Sequence, residues 1–128
     1  MVGGCGEAIV AAEFMKRGVP VYRPMVDTGA DLVVDINGSL QRVQVKSSAS
    51  TRRRVCFHLG RRNPNRGSGE SCWLKYDNGS VDWYALCCIG HGYTALVPAG
   101  ATCKTITFPG REEQEIGAVI DKLLEENK

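Results

Sequence analysis

Hydrophobic and polar residues alternate with a period of two between residues 29 and 48, which is the pattern of a half-buried β-hairpin. Valine and leucine recur at alternate positions on either side of Asn37-Gly38. This dipeptide favours a two-residue type I′ turn, because both of its residues tolerate a positive φ. Pairing counted outward from the turn places Asp31 opposite Gln44. The pattern therefore predicts a hairpin whose register is set by its turn.

The strand period also divides this hairpin into an apolar face and a polar face. Directly opposed residues have Cβ atoms roughly 4.5–5.5 Å apart, so a carboxylate, a carboxamide and a lysine are expected together at the open end of the hairpin. Carboxylate and carbonyl oxygens are hard ligands that suit Mg²⁺, and a nearby lysine can activate a water or stabilise a phosphate. The apolar face comprises Leu32, Val34, Val43 and Val45, and the polar face comprises Asp31, Gln44 and Lys46.

Apolar residues recur at helical spacing near both ends of the chain. Residues 6–17 are predicted as a first helix that ends before Gly18, and residues 116–124 place an aliphatic stripe on a terminal helix. We expect this stripe to cover the sheet, with a helix–helix dimer contact as the alternative. Further strands are predicted at residues 19–23, 55–59, 72–76, 81–89, 93–97 and 103–108, with a loop at 60–71.

Glu7 lies at the start of the first helix and shares a face with Val10, Ala11 and Phe14. The helix dipole stabilises a carboxylate in the first turn, which is one sufficient reason for this residue. A carboxylate on an apolar face also needs a partner, which a metal ion or the hairpin lysine would supply. The residues alone leave both interpretations open.

The length and composition are those of an ordinary globular domain. The 128 residues are enough for one domain, spanning 1–128, with a core of its own. No run approaches the roughly 18 apolar residues of a membrane span, and the start lacks the features of a secretory signal. Six cysteines are scattered without a CxxC pair, which argues against zinc, and we interpret them as reduced, mostly buried side chains. We therefore expect an intracellular protein with no membrane association.

The net charge of +2 conceals an uneven distribution of charged residues. Residues 36–69 contain eight basic side chains and no acidic one, whereas the remainder contains eight basic and fourteen acidic side chains. Affinity for nucleic acid depends on local neutralisation of phosphates, so this split matters more than the total. The cationic segment begins inside the hairpin that carries the polar cluster.

The hairpin, with an acid at the start of one strand and Gln44-x-Lys46 on the next, resembles the PD-(D/E)XK nuclease superfamily. The Q-x-K form is that of the small group I intron-encoded endonucleases and related phage and bacterial proteins. The resemblance extends to the first helix with Glu7 and to the strands at residues 81–86 and 93–98, in the family's order.

This resemblance implies an α/β fold, namely a restriction-endonuclease-like mixed β-sheet flanked by helices. It implies a Mg²⁺-dependent DNA endonuclease, in which Mn²⁺ substitutes for Mg²⁺. Glu7, Asp31 and Gln44 would hold the metal, and Lys46 would assist the attacking water. Two DNA strands and one site per chain imply a homodimer or a higher symmetric homo-oligomer.

Several polar and cationic residues near the predicted site are candidates for contact with DNA. A run of charge is ordinarily a solvated face, but beside a metal–phosphate site we expect contacts with the DNA backbone. The expected DNA-binding residues are Arg42, Ser47, Ser48, Arg52, Arg53, Arg54, Arg61, Arg62 and Arg66. Asp27 is a lesser candidate for the site, and Asp35 lies roughly 13 Å along the strand from Asp31. His58 and His91 are expected to be structural or exposed.

Two substrate classes and one non-catalytic function remain open from the sequence. The small size and the arginine-rich segment favour a structure-selective enzyme similar to the archaeal-type Holliday junction resolvases, which needs only shape and phosphate contacts. The intron-encoded relatives suggest instead a sequence-specific homing-type endonuclease. A DNA-binding module that keeps the nuclease fold without catalysis is the third hypothesis.

Overall fold

The computed structural model describes residues 2–26, 29–59, 61–62, 73–74, 81–100 and 103–126. Two helices and nine strands lie within these residues. In chain order they are α1 (Val2–Met15), β1 (Val21–Tyr22), β2 (Leu32–Ile36), β3 (Ser39–Ser48), β4 (Arg54–His58), β5 (Arg61–Arg62), β6 (Trp73–Leu74), β7 (Trp83–Cys88), β8 (Tyr93–Pro98), β9 (Cys103–Thr107) and α2 (Ile116–Glu126). Neither described helix has the length and apolar character that a bilayer span requires.

The main sheet has five strands in the order β1-β2-β3-β7-β8. Strands β3 and β7 are parallel, and the other neighbours in this sheet are antiparallel. Strands β4 and β9 pair separately as an antiparallel ribbon, as do β5 and β6. The predicted α/β architecture with a mixed sheet is confirmed.

The predicted hairpin register is confirmed by the pairing of β2 with β3. Both turn residues have positive φ, 51° at Asn37 and 94° at Gly38, as a type I′ turn requires. Asp35 lies opposite Leu40, as counting outward from the turn predicts. The Asn37 side chain also donates a hydrogen bond of 3.0 Å to the carbonyl of Leu124, which ties the turn to α2.

Apolar side chains form two cores, one on each face of the main sheet. The helix-side core lies between the sheet and the two helices, and the ribbon-side core lies between the sheet and the β4–β9 ribbon. Because β7 contributes to both, its sequence is a nearly continuous apolar run. The helix-side core includes Val10, Phe14, Leu32, Val34, Val43, Ala85, Cys87, Leu96 and Ile120, and the ribbon-side core includes Val55, Phe57, Tyr84, Leu86, Cys88, Val97 and Ile106.

Helix α1 lies unusually close to β3 at Gly6. A Cβ atom at this position would overlap Ser47 Oγ and lie 3.3 Å from a Val45 methyl carbon, so a larger residue would force Ser47 to move. The other end of α1 is joined to α2, because Arg17 Nε donates to Asp121 Oδ1 at 2.8 Å. These two contacts fix the helix across the sheet and thereby place Glu7.

Candidate functional site

The site begins with Asp31, the residue that directly precedes β2. The β2–β3 ladder ends at the pair Leu32 and Val43, and Asp31 lies just outside it. The Asp31 amide donates to the Val43 carbonyl at 2.9 Å, and Asp31 Oδ2 accepts a hydrogen bond of 2.8 Å from the Val45 amide. One oxygen of the Asp31 carboxylate is thus fixed to β3 by a charge-assisted hydrogen bond. The second oxygen belongs to the same charged group at the end of the hairpin.

Gln44 and Lys46 lie on the ribbon-side face of β3. Their parallel partners on β7 are Tyr84 and Leu86, both of which belong to the ribbon-side core. Both polar residues are half-buried at the margin of this core, and Gln44 Oε1 is itself buried. The Asp31 carboxylate meets β3 at the Val45 amide, which lies between Gln44 and Lys46 in the strand.

Glu7 approaches the same end of the sheet from the helix side. Its Oε1 accepts a hydrogen bond of 3.0 Å from Arg23 Nη1, and the Glu7 side chain keeps 25% of its exposure. Continuing the β1–β2 register places Arg23 opposite Leu32, one position from Asp31. Arg23 is thus the cation beside Glu7, and the strand register places it near the residue that follows Asp31.

The predicted donor set consists of oxygens, the atom type that a hard divalent ion prefers. It comprises two carboxylates and a carboxamide oxygen, and Mg²⁺ takes one or two protein carboxylates while keeping several waters. Within the described part of the chain, no three His, Cys, Asp or Glu side chains group closely enough to hold a metal. The predicted site has only two acids and takes its third oxygen from Gln44, so it differs in chemistry from a cluster of three acids.

A cationic link, defined as Arg52, Arg53 and Arg54, follows β3 and ends in the first residue of β4. All three side chains are exposed, while the backbone is held in place. His91 Nε2 lies 2.7 Å from the Arg52 carbonyl, and the Phe108 amide donates to the Arg53 carbonyl at 2.8 Å. The link therefore presents three guanidinium groups from a fixed backbone.

A family model described as PD-(D/E)XK endonuclease matches residues 1–113. The chain belongs to the PD-(D/E)XK endonuclease family. This confirms the resemblance that the hairpin and the first helix predicted.

A solved structure of a bacterial homing endonuclease is similar to this chain in fold. The similarity has a TM-score of 0.68 at 16% sequence identity, and it covers 98% of this chain and 91% of the other. It confirms the restriction-endonuclease-like architecture, with both described helices on one face of the sheet and the β4–β9 ribbon on the other. No curated protein sequence matches the chain.

Two of the residues predicted to contact DNA, Ser47 and Arg42, lie in environments that differ from the prediction. Ser47 lies on the helix-side face, opposite to Lys46, with its Oγ buried beneath Gly6. Arg42 is on the same face as Lys46, but its Nε lies 3.3 Å from Asp82 Oδ2, which also accepts from the Arg42 amide at 2.8 Å. We therefore do not include Ser47 in the DNA surface, and a phosphate at Arg42 would compete with Asp82.

The structure describes the remaining predicted DNA-contact and site residues to different extents. Ser48 is half-buried, and its Oγ accepts a hydrogen bond of 3.2 Å from the Ser50 amide. Arg61 and Arg62 form β5 by their backbone. Arg66 and Asp27 lie outside the described residues.

Sequence reasoning missed Arg23 and Asp82, which contact two of the predicted residues. Each stands immediately beside a strand, Arg23 after β1 and Asp82 before β7. A charged residue at a strand end was the available signal, but its partner depends on which strands become neighbours. Asp82 finds Arg42 only because β3 and β7 pair in parallel.

Proposed function

We propose that this protein is an intracellular, metal-dependent DNA endonuclease that hydrolyses phosphodiester bonds at the Asp31–Gln44–Lys46 face. The observation that supports the proposal is that Gln44 and Lys46 share one face of β3, while the Asp31 carboxylate accepts a hydrogen bond from the Val45 amide between them. Glu7, Asp31 and Gln44 would hold Mg²⁺, or Mn²⁺ in its place. When bound, the ion supplies positive charge that stabilises the charge developing on the phosphate.

The chain's own residues have distinct roles in this proposal. The Val45 amide fixes the Asp31 carboxylate, which keeps the donor oxygens in place before DNA binds. Lys46 places its ammonium two residues beyond Gln44 on the same face, where it orients the attacking water and offsets phosphate charge. The cationic link neutralises phosphates along the DNA backbone and holds the duplex against this face.

Cleavage of supercoiled plasmid in Mg²⁺ or Mn²⁺, with EDTA as the control, tests the proposal. We expect nicked and linear products with either ion and none with EDTA. Binding of both the plasmid and a four-way junction without cleavage of either, in both ions, would instead favour the non-catalytic module.

Two observations support two substrate classes. The exposed cationic link supports recognition of shape and phosphates, as in a Holliday junction resolvase. The fold similarity to a homing endonuclease over 91% of that chain supports a specific duplex site, since a chain of this size suffices for that fold. Comparing a four-way junction with a linear duplex of the same sequence separates the two: we expect faster junction cleavage, and equal rates would overturn structure selectivity.

Either substrate presents two strands, so we propose a symmetric homo-oligomer, a homodimer at the least.

Replacing Arg23 with glutamine is expected to tighten Mn²⁺ binding by about two- to fivefold, because it removes the cation that pairs with the Glu7 carboxylate. Isothermal titration calorimetry measures the change. Arg111→Gln is the matched control, since Arg111 forms a similar exposed pair, with Glu113, at 3.4 Å. Identical Mn²⁺ affinity in wild type and Arg23→Gln would remove Glu7 from the metal site.

Replacing Arg52, Arg53 and Arg54 together with glutamine is expected to weaken DNA binding and to flatten its salt dependence. Each lost phosphate contact lowers the slope of log K against log salt by about 0.9, so the slope should fall by up to about 2.7. Fluorescence anisotropy at several salt concentrations gives the slope. Arg111→Gln should leave it unchanged, and an unchanged slope in the triple variant would show that the link faces solvent.

A further inference from the structure

The outer face of the β4–β9 ribbon carries two thiols at short distance. Cys56 Sγ lies 3.3 Å from Cys103 Sγ, and the two belong to neighbouring antiparallel strands. Cys56 pairs with Thr105, so Cys103 is its diagonal neighbour. Cys56 is exposed and Cys103 is half-buried, which leaves the pair accessible to small reagents.

We propose that Cys56 and Cys103 form a dithiol site that reacts as a pair with low-molecular-weight disulfides such as oxidised glutathione. The product is an intramolecular disulfide that joins β4 to β9. This corrects the expectation that the cysteines are mostly buried, and it is independent of the proposed nuclease activity.

The chemistry proceeds by two thiol–disulfide exchanges. The Cys56 thiolate attacks one sulfur of oxidised glutathione, the S–S bond breaks, and one glutathione leaves as its thiolate. The Cys103 thiolate then attacks the Cys56 sulfur of the mixed disulfide and releases the second glutathione. The two protein thiols are oxidised, one small disulfide is reduced to two thiols, and the two protons pass to the glutathione thiolates.

The ribbon geometry allows the second exchange without disturbing a core. A disulfide is about 2.04 Å long, so the sulfurs need to approach by roughly 1.3 Å. Cys103 is the first residue of β9, where a small shift breaks no interior pairing. Val55 and Phe57 on either side of Cys56 point into the ribbon-side core, so Cys56 reacts on the opposite face.

The two buried cysteines provide an internal contrast. Cys87 and Cys88 are both buried in the main sheet. Burial raises the pKa of the Cys88 thiol to about 11 and also raises the pKa of Cys87. Both raised pKa values disfavour the reactive thiolate. We therefore expect oxidised glutathione to react with Cys56 and Cys103 and to leave Cys87 and Cys88 unmodified.

Intact-mass and tandem mass spectrometry after incubation with oxidised glutathione test the proposal. We expect wild type to lose two hydrogens without a retained glutathione, with Cys56 joined to Cys103. Cys103→Ser should retain one glutathione on Cys56, because the second exchange is missing. The oxidised wild type should melt about 5–10 °C higher than the reduced protein, and Cys103→Ser should not.

Two outcomes would overturn the proposal. In one, wild type accumulates the glutathione adduct on Cys56 as Cys103→Ser does. In the other, the disulfide involves Cys5 or another cysteine in place of Cys103. A folding defect in the variant is excluded by comparing its melting curve with that of wild type under reducing conditions.

Discussion

Replacing Lys46 with alanine is expected to lower the rate of DNA cleavage by about 10²–10⁴-fold, the usual contribution of a positioned acid–base group. DNA affinity should change by less than about tenfold, because only one phosphate contact is lost. The half-buried position of Lys46 beside Gln44 is the reason for the large expected effect, since an ammonium at the margin of a core acts in a less polar medium than water. Single-turnover cleavage and anisotropy measure the two quantities separately.

Lys122→Ala is the matched control for this experiment. Lys122 is exposed on α2 and lies 4.0 Å from Glu126, away from the Asp31–Gln44–Lys46 face. It should cut and bind like wild type. If Lys46→Ala cuts as fast as wild type, Lys46 has no part in the chemistry.

Replacing Asp31 with asparagine is expected to lower cleavage by about 10²–10³-fold and to weaken divalent-ion binding, because a neutral oxygen replaces a carboxylate ligand. The fold should persist, since the asparagine Oδ1 is still able to accept the Val45 amide hydrogen bond. Cleavage rates at several Mg²⁺ concentrations and circular dichroism melting curves measure both effects.

Asp35→Asn is the control that distinguishes the position of the lost carboxylate from the loss of one negative charge. Asp35 lies on the same face of β2 as Asp31, roughly 13 Å along the strand, and its Oδ1 accepts from the Gly38 amide at 2.7 Å. Its replacement removes the same charge without touching the proposed site. Equal losses of activity in the two variants would mean that the general charge of the face matters and the metal position does not.

The hairpin was predictable because every determinant of its register is local. Asn37-Gly38 fixes the turn, and the period of two then fixes which side chains share a face. Asp31, Gln44 and Lys46 follow from that count alone. The amphipathic stripe of α2 was predictable for the same reason, since helical spacing is a property of the segment itself.

Neighbours that come from distant parts of the chain were not predictable. Residues 49–82 separate β3 from β7 in the chain, and only the parallel pairing of these two strands brings Asp82 next to Arg42. Strand alternation alone turns Ser47 away from Lys46, but the burial of its Oγ depends on α1 packing against β3 at Gly6. The Glu7–Arg23 pair and the Cys56–Cys103 pair likewise depend on packing between separate elements.

A crystal structure of the protein with Mn²⁺ would show the proposed metal site itself. We expect anomalous density coordinated by oxygens of Glu7, Asp31 and Gln44, with Glu7 turned away from Arg23. Density at another site, or none at saturating Mn²⁺ while these side chains keep their present contacts, would contradict it.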